Sequence, residues 1–356
     1  MTNIQKLMQS IPDGSDCAII TSDINRRYFS GMKSSAGVVL CFKDVAYLVI
    51  DFRYIEKARK TVTDCQVVLQ ESNSIQQIYN ILKEHNVKKV SVEAHCMTID
   101  VLSSYKSKLL DIEIDYSNAL SKNIFAIRTK KSAEEVEKIK SAQKIADDAF
   151  QHILNYIKVG VTEKDIALEL DYYMLKHGAE ALSFDTIALA GKNTSMPHGV
   201  PSSYAVQSGD FVLMDYGAVV DGYHSDMTRT ICVGTPSDKM KEVYNIVLNA
   251  QQCALDNVKT GILGSVGDSF ARKVIQEAGY GEYFGHSLGH GVGVEIHEYP
   301  VMSPNNDEVL LDKSVVTVEP GIYIPNEFGV RIEDFIYLQD TGLENLTKSP
   351  KNLICI

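Results

Sequence analysis

Between positions 211 and 233 the chain reads FVLMDYGAVVDGYHSDMTRTICV, two runs of aliphatic, aromatic and β-branched residues around Asp221-Gly222. An Asp-Gly pair in this setting predicts a two-residue hairpin turn, because both central residues must take φ > 0. Counting outward from that turn, Val220 faces Tyr223, Asp215 faces Thr228 and Asp226 faces Gly217. Opposed residues share a face of the sheet, and so do residues two apart on one strand. Asp215 and Asp226 are therefore expected as diagonal neighbours on one face. Two carboxylates about 4 Å apart repel by about 4 kcal/mol at an effective dielectric of about 20. The arrangement calls for a cation.

The 356 residues around this hairpin are comfortable for two domains. In the first third, apolar residues at helical spacing (Ile4, Leu7, Met8, Ile11) precede strand-like runs at 17–21, 36–42 and 45–50. Helices (54–61, 74–85, 98–110) then alternate with strands (66–69, 89–93, 112–116), which predicts an α/β sheet covered by helices. This part holds no cluster of candidate ligands and is expected to be structural or oligomeric in role. The pattern breaks over 117–131, and a boundary near 122 gives domains 1–122 and 123–356. Ser132-Ala133-Glu134-Glu135 then forms a capping box for a long amphipathic helix ending at Gly160, with a second helix over 162–177. Further helices are predicted at 237–258 and 265–278, and strands at 184–190, 315–318, 322–324 and 329–338.

A net charge of -11, from 35 basic and 46 acidic residues, disfavours nucleic acid and anionic membrane as main partners. The seven cysteines form no CxxC pair and read as reduced thiols. With no signal-like apolar segment and no run of membrane-spanning length, the sequence reads as that of a cytoplasmic protein.

Three residues are candidates to join the two aspartates. His290 sits in Gly289-His290-Gly291, where glycines permit close approach to a crowded centre. Glu319 follows the apolar run Val315-Val316-Thr317-Val318, and Glu333 follows Val330-Arg331-Ile332. An acid abutting an apolar strand is costly unless paired or coordinating. The separation of the two glutamates is even, so a hairpin centred near Asn326 would place them opposite each other on one face. Four carboxylates and one imidazole form an oxygen-rich set suited to manganese, cobalt, iron or zinc.

The succession FDTIALAGKNTSMPHGVP, LMDYGAVVDGYHSDMTRT, GHSLGHGVGVEIHEYP, VTVEPGIYIP and GVRIED closely resembles the proline-specific metallopeptidases, aminopeptidase P and prolidase. The resemblance covers the second domain in order, while YFSG at 28–31 and DFRYIEKA at 51–58 are similar to the N-terminal domain of the same family. It implies an α/β (α+β) architecture, a creatinase/prolidase-type N-terminal domain followed by a pita-bread catalytic domain. It implies metal ligands at Asp215, Asp226, His290, Glu319 and Glu333, with Asp226 and Glu333 bridging two divalent ions, manganese first. It also implies substrate contacts at His198, His297 and Arg331, and a homodimer. Many relatives carry an arginine in HExPR that helps hold a dipeptide carboxylate, whereas this chain has Val301 there.

The expected activity is therefore cleavage between an N-terminal residue and a following proline by a hydroxide bridging two ions. His198 and His297 would assist it, and Glu319 would move the proton. Val301 tilts the expectation toward Xaa-Pro aminopeptidase, with Xaa-Pro dipeptidase (prolidase) as the alternative and a non-catalytic binding protein on the same fold as a remote one.

Overall fold

The alternation read in the first third builds one six-stranded sheet. A computed structural model describes residues 1–356, which divide into two compact units, Met1–Arg128 and Thr129–Ile356. The first unit runs α1 (Asn3–Gln9), β1 (Cys17–Ile20), α2 (Asp23–Ser30), β2 (Val38–Phe42), β3 (Ala46–Ile50) and α3 (Ile55–Thr61). It continues with β4 (Gln66–Leu69), α4 (Ser74–Glu84), β5 (Lys89–Val92), α5 (Ile99–Lys108), β6 (Glu113–Asp115) and α6 (Ala119–Thr129). Its strand order is β4-β3-β2-β1-β5-β6, antiparallel through β3-β2-β1 and parallel elsewhere. Ile19, Leu40, Val49, Ile78, Leu82 and Val90 form the core on one side of this sheet. Before β1, Asp16 accepts the backbone N–H groups of Lys88 (2.8 Å) and Lys89 (3.0 Å). Those bonds hold its carboxyl below the ordinary value.

Two helices here were not visible in the pattern. The buried side of α2 carries Asn25 and Arg26 as well as Tyr28 and Phe29, so apolar periodicity is masked. Glu93 accepts Asn25 Nδ2 at 2.7 Å, and Arg26 donates to Ser34 Oγ at 2.9 Å and to Thr21 O at 2.9 Å. The stretch 117–131, read as a break, is mostly α6, whose buried positions Leu120, Ile124 and Arg128 recur every four residues. The arginine in that series hid it. The boundary expected near 122 lies inside this helix, whereas the compact units divide after Arg128.

The second unit opens with α7 (Ala133–Ile153) and α8 (Glu163–Lys176), each started by a capping box, at Ser132 and Thr162. There follow β7 (Ala181–Leu182), β8 (Ile187–Ala190), β9 (Phe211–Tyr216), β10 (Ala218–Val220), β11 (Tyr223–His224) and β12 (Met227–Cys232). After α9 (Asp238–Asn257) and α10 (Gly264–Glu277) come β13 (Gly289–Gly291), β14 (Glu298–Met302) and β15 (Val315–Val318). The unit ends with β16 (Gly321–Ile324), β17 (Phe328–Arg331), β18 (Asp334–Gln339) and β19 (Gly342–Asn345). Apolar faces of α7 and α8 pack on β8, β9 and β12 through Ala146, Phe150, Ile166, Leu170, Ala188 and Met214. Those of α9 and α10 pack on the later strands through Val243, Val247, Ala271, Ile275, Val316 and Ile336.

The central hairpin has the predicted turn, with Asp221 at φ 50° and Gly222 at φ 84°. Its register holds throughout: Val220 pairs with Tyr223, and Asp215 with Thr228. The ladder nevertheless parts at Gly217, where the chain leaves the β12-β9-β8 sheet for β11-β10-β7. A Cβ on Gly217 would lie 2.0 Å from Ser225 O, so only glycine permits that crossing. The 329–338 run is likewise two strands. β17 pairs with β16, and β18 pairs with β15, with Glu333 at the junction. Because Val318 pairs with Asp334 and Gly321 with Arg331, one register continues across the break, and Asn326 at its turn has φ 63°. No helix is long and apolar enough to cross a membrane.

Candidate metal centre

The two interrupted hairpins bring their acids to one place. A carboxylate oxygen from each of Asp215, Asp226 and Glu333 lies within 4.8 Å of the others. His290, on the short strand β13, points Nε2 at this group, 3.6 Å from Asp226 Oδ2 and 3.4 Å from Glu319 Oε1. Its Nδ1 lies 3.0 Å from Gly291 O. A carbonyl only accepts, so Nδ1 carries the proton and the Nε2 lone pair faces the carboxylates. The glycines flanking His290 are required by close approach: a Cβ on Gly289 would meet Thr317 O at 2.0 Å and one on Gly291 would meet Tyr299 O at 2.3 Å.

Burial and mutual repulsion act together on these groups. Burial, then Asp215 and Glu319, push the Asp226 carboxyl well above its ordinary value. Glu333 is pushed up by burial and then by Asp226, Glu319 and Asp215. Glu319 rises to about 8, mainly through burial. Burial also pulls His290 down to about 4, with His297 adding to the effect. Asp215 Oδ1 and Glu333 Oε1 are buried without any hydrogen-bond donor. A set of converging carboxylates, two of them with orphaned oxygens, beside an imidazole lone pair fits hard divalent cations. It fits nothing apolar.

A second layer of hydrogen bonds fixes these carboxylates. Thr228 Oγ1 donates to Glu333 Oε2 at 2.8 Å and accepts from Arg331 Nε at 3.0 Å. Thr317 Oγ1 donates to Glu319 Oε1 at 3.1 Å. The buried Arg331 engages all three guanidinium nitrogens, through Thr228, through Tyr323 OH (2.8 Å) and Pro197 O (3.3 Å), and through a short ion pair with Asp215 Oδ2. Tyr323 OH in turn meets His286 Nε2 at 2.9 Å. Behind the strand, the fully buried Arg229 donates to the carbonyls of Thr228, Glu333, Ser349 and Pro350 and pairs with Asp334 at 2.8 Å.

His297 packs on His290 with ring centroids 4.4 Å apart and is otherwise exposed. Burial lowers its pKa, and His198 nearby lowers it further, so its ring is neutral near pH 7. His198 lies exposed on the loop after β8. Tyr323, Thr228 and Thr317 were not anticipated, yet a period of two marks them. Thr317, Glu319 and Tyr323 have one parity along the chain, as do Asp226 and Thr228. His286 reaches the same network through Tyr323 OH.

The fold and the site together define a metal-dependent hydrolase of the peptidase class. Residues 137–340 match metallopeptidase family M24 and residues 1–123 match the creatinase/prolidase N-terminal domain. The chain belongs to that family, with a creatinase-type N-terminal domain followed by a pita-bread domain. The Xaa-Pro dipeptidase of Bacillus anthracis has the same fold with a TM-score of 0.95 at 42% identity over 99% of both chains. An X-Pro aminopeptidase structure from Thermotoga maritima gives a TM-score of 0.91 at 37% identity, over 96% of this chain and 98% of that one. The Xaa-Pro dipeptidase of Pyrococcus furiosus is 37% identical over 353 residues, 99% of each chain.

Proposed function

We propose that the chain is an Xaa-Pro dipeptidase that hydrolyses the bond between an N-terminal residue and a following proline. The convergence of Asp215, Asp226 and Glu333 within 4.8 Å, with His290 and Glu319 at its edge, carries the metallopeptidase chemistry. Several of the relatives, 37% to 42% identical over almost the whole chain, are named for the dipeptidase reaction, which supports that substrate size over the aminopeptidase expected from Val301. The aminopeptidase remains the second reading, favoured by Val301 and by the Thermotoga neighbour.

Asp215, Asp226, His290, Glu319 and Glu333 would hold two divalent ions, manganese first. Bound there, such ions acidify water near neutral pH and polarise the scissile carbonyl. Glu319, oriented by Thr317, is placed to take a proton and deliver it to the leaving proline nitrogen. His297, neutral beside His290, donates one N–H to the developing oxyanion. His198, on its exposed loop, would contact the bound peptide. Arg331 spends its donors on Asp215, Thr228, Tyr323 and Pro197, which makes it a support for the ligand face more than a direct substrate contact.

The deciding experiment strips the protein with a chelator, reloads it with manganese, cobalt or zinc, and compares an Xaa-Pro dipeptide with an Xaa-Pro-Xaa tripeptide. Faster turnover of the dipeptide is expected. Cleavage of the tripeptide alone would favour the aminopeptidase, and metal-independent activity, or full activity in Asp226→Ala, would remove the mechanism.

A further inference from the structure

The His198 loop leaves the sheet at the end of β8 and returns to the start of α8, and one buried carboxylate closes both of its limbs. Glu163 is the first residue of α8 and is fully buried. Its Oε1 accepts Ala190 N at 2.7 Å and Asn193 Nδ2 at 2.9 Å, on the departing limb. Its Oε2 accepts Ser202 N at 2.8 Å and Ser202 Oγ at 2.6 Å, on the returning limb. No cation stands among these four partners. Backbone bonds from Glu163 N to Tyr204 O (3.0 Å) and from Lys164 N to Ser202 O (3.2 Å) extend the closure.

Past its first anchor point the departing limb ends in a short 3-10 helix, Gly191–Ser195, with Met196 N bonded to Asn193 O at 3.0 Å, and only the tip beyond it has little of its own to hold it. Its tip is closed by one turn bond, Gly199 N to Met196 O at 3.0 Å, and touched by Arg331 at Pro197 O. Met196, His198 and Val200 are exposed. The departing limb is further seated by Thr194 Oγ1, which accepts Gly329 N at 2.8 Å. An exposed tip with so few internal bonds takes its position from its ends. A charge with four donors, two of them backbone N–H groups, holds such ends more firmly than neutral bonds would.

We propose that Glu163 is a positioning residue for substrate binding, acting through the placement of His198. The proposal rests on the reading that His198 meets the peptide. Glu163→Gln keeps the shape but turns two acceptor positions into donors that face Ala190, Asn193 or Ser202 donors. Ser202→Ala removes one donor and guards against a folding defect in the first variant.

Both variants are measured for Xaa-Pro turnover, bound metal, and backbone hydrogen exchange over 191–204, alone and combined with His198→Ala. Expected are a rise in KM on the order of tenfold with kcat within about threefold, unchanged metal content, and faster exchange confined to the loop. In the His198→Ala background the KM effect should vanish, because the two residues act as one unit. Unchanged KM in both folded variants overturns the proposal, and so does an equal rise in the His198→Ala background, which marks a merely structural carboxylate. Full activity in His198→Ala alone removes the role given to that histidine and this proposal with it. Full activity in Glu163→Gln beside an impaired His198→Ala removes only the proposal.

Discussion

Thr228→Val tests the layer behind the ligands more directly than removing a ligand does. The hydroxyl of Thr228 is fully buried, donating to Glu333 at 2.8 Å and accepting from Arg331 at 3.0 Å. Valine has the same outline, so packing is preserved while both bonds go. Hydrogen bonds to charged groups are worth about 1.5–3 kcal/mol each. Glu333 already has one orphaned oxygen, and the substitution would orphan the other. A loss of about 3 kcal/mol is expected, which for a domain of this size corresponds to a fall in Tm of roughly 6–12 °C by calorimetry. Thr228→Ser, keeping the hydroxyl and losing one methyl, should cost about 1 kcal/mol. Metal affinity should weaken in the valine variant and not in the serine one, because Glu333 loses the donor that orients it. A valine variant within about 0.5 kcal/mol of the parent, with unchanged metal affinity, would refute the reasoning.

Gly217→Ala places a Cβ 2.0 Å from Ser225 O, against backbone that cannot move without displacing Asp226, and should cost about 1–3 kcal/mol together with most of the activity. Val301→Arg lies directly opposite His290 on β14 and should shift kcat/KM toward Xaa-Pro over Xaa-Pro-Xaa by about tenfold; no change in that ratio would deny position 301 any part in substrate length. Asp16→Asn addresses pH. The Asp16 carboxyl is depressed in the folded state by the Lys88 and Lys89 N–H groups, so its contribution is present above the unfolded carboxylate range and is lost as pH falls through the folded value. Urea midpoints of the variant and parent should differ at pH 7 and converge in acid, and a constant gap would contradict this.

The hairpin register was legible because two signals agreed, the Asp-Gly turn and the period of two. The same counting placed Glu319 opposite Glu333, although the strands there belong to different sheets. What the text could not show is where ladders part. The crossing at Gly217 and the junction at Glu333 depend on which neighbouring strand wins the next hydrogen bonds, a long-range competition. α2 and α6 were missed because Arg26, Asn25 and Arg128 occupy buried positions that a hydrophobic pattern leaves blank. Glu163 was invisible for a related reason. Its partners are mostly loop groups 27 to 39 positions away, and its neighbours in sequence mark it only as a first-turn acid of α8.

Arg229 has a consequence for the order of events during synthesis. The first unit is closed by contacts ending at Arg128, and such a unit can fold as soon as it emerges. The strand that carries the ligand face, by contrast, is braced through Arg229 by the carbonyls of Ser349 and Pro350. At translation rates of 5–20 residues per second, the interval between Arg128 and Pro350 is roughly ten to forty-five seconds. During that time the acids emerge one after another without a completed cage, so closure of the metal site belongs to the last stage of the chain's making.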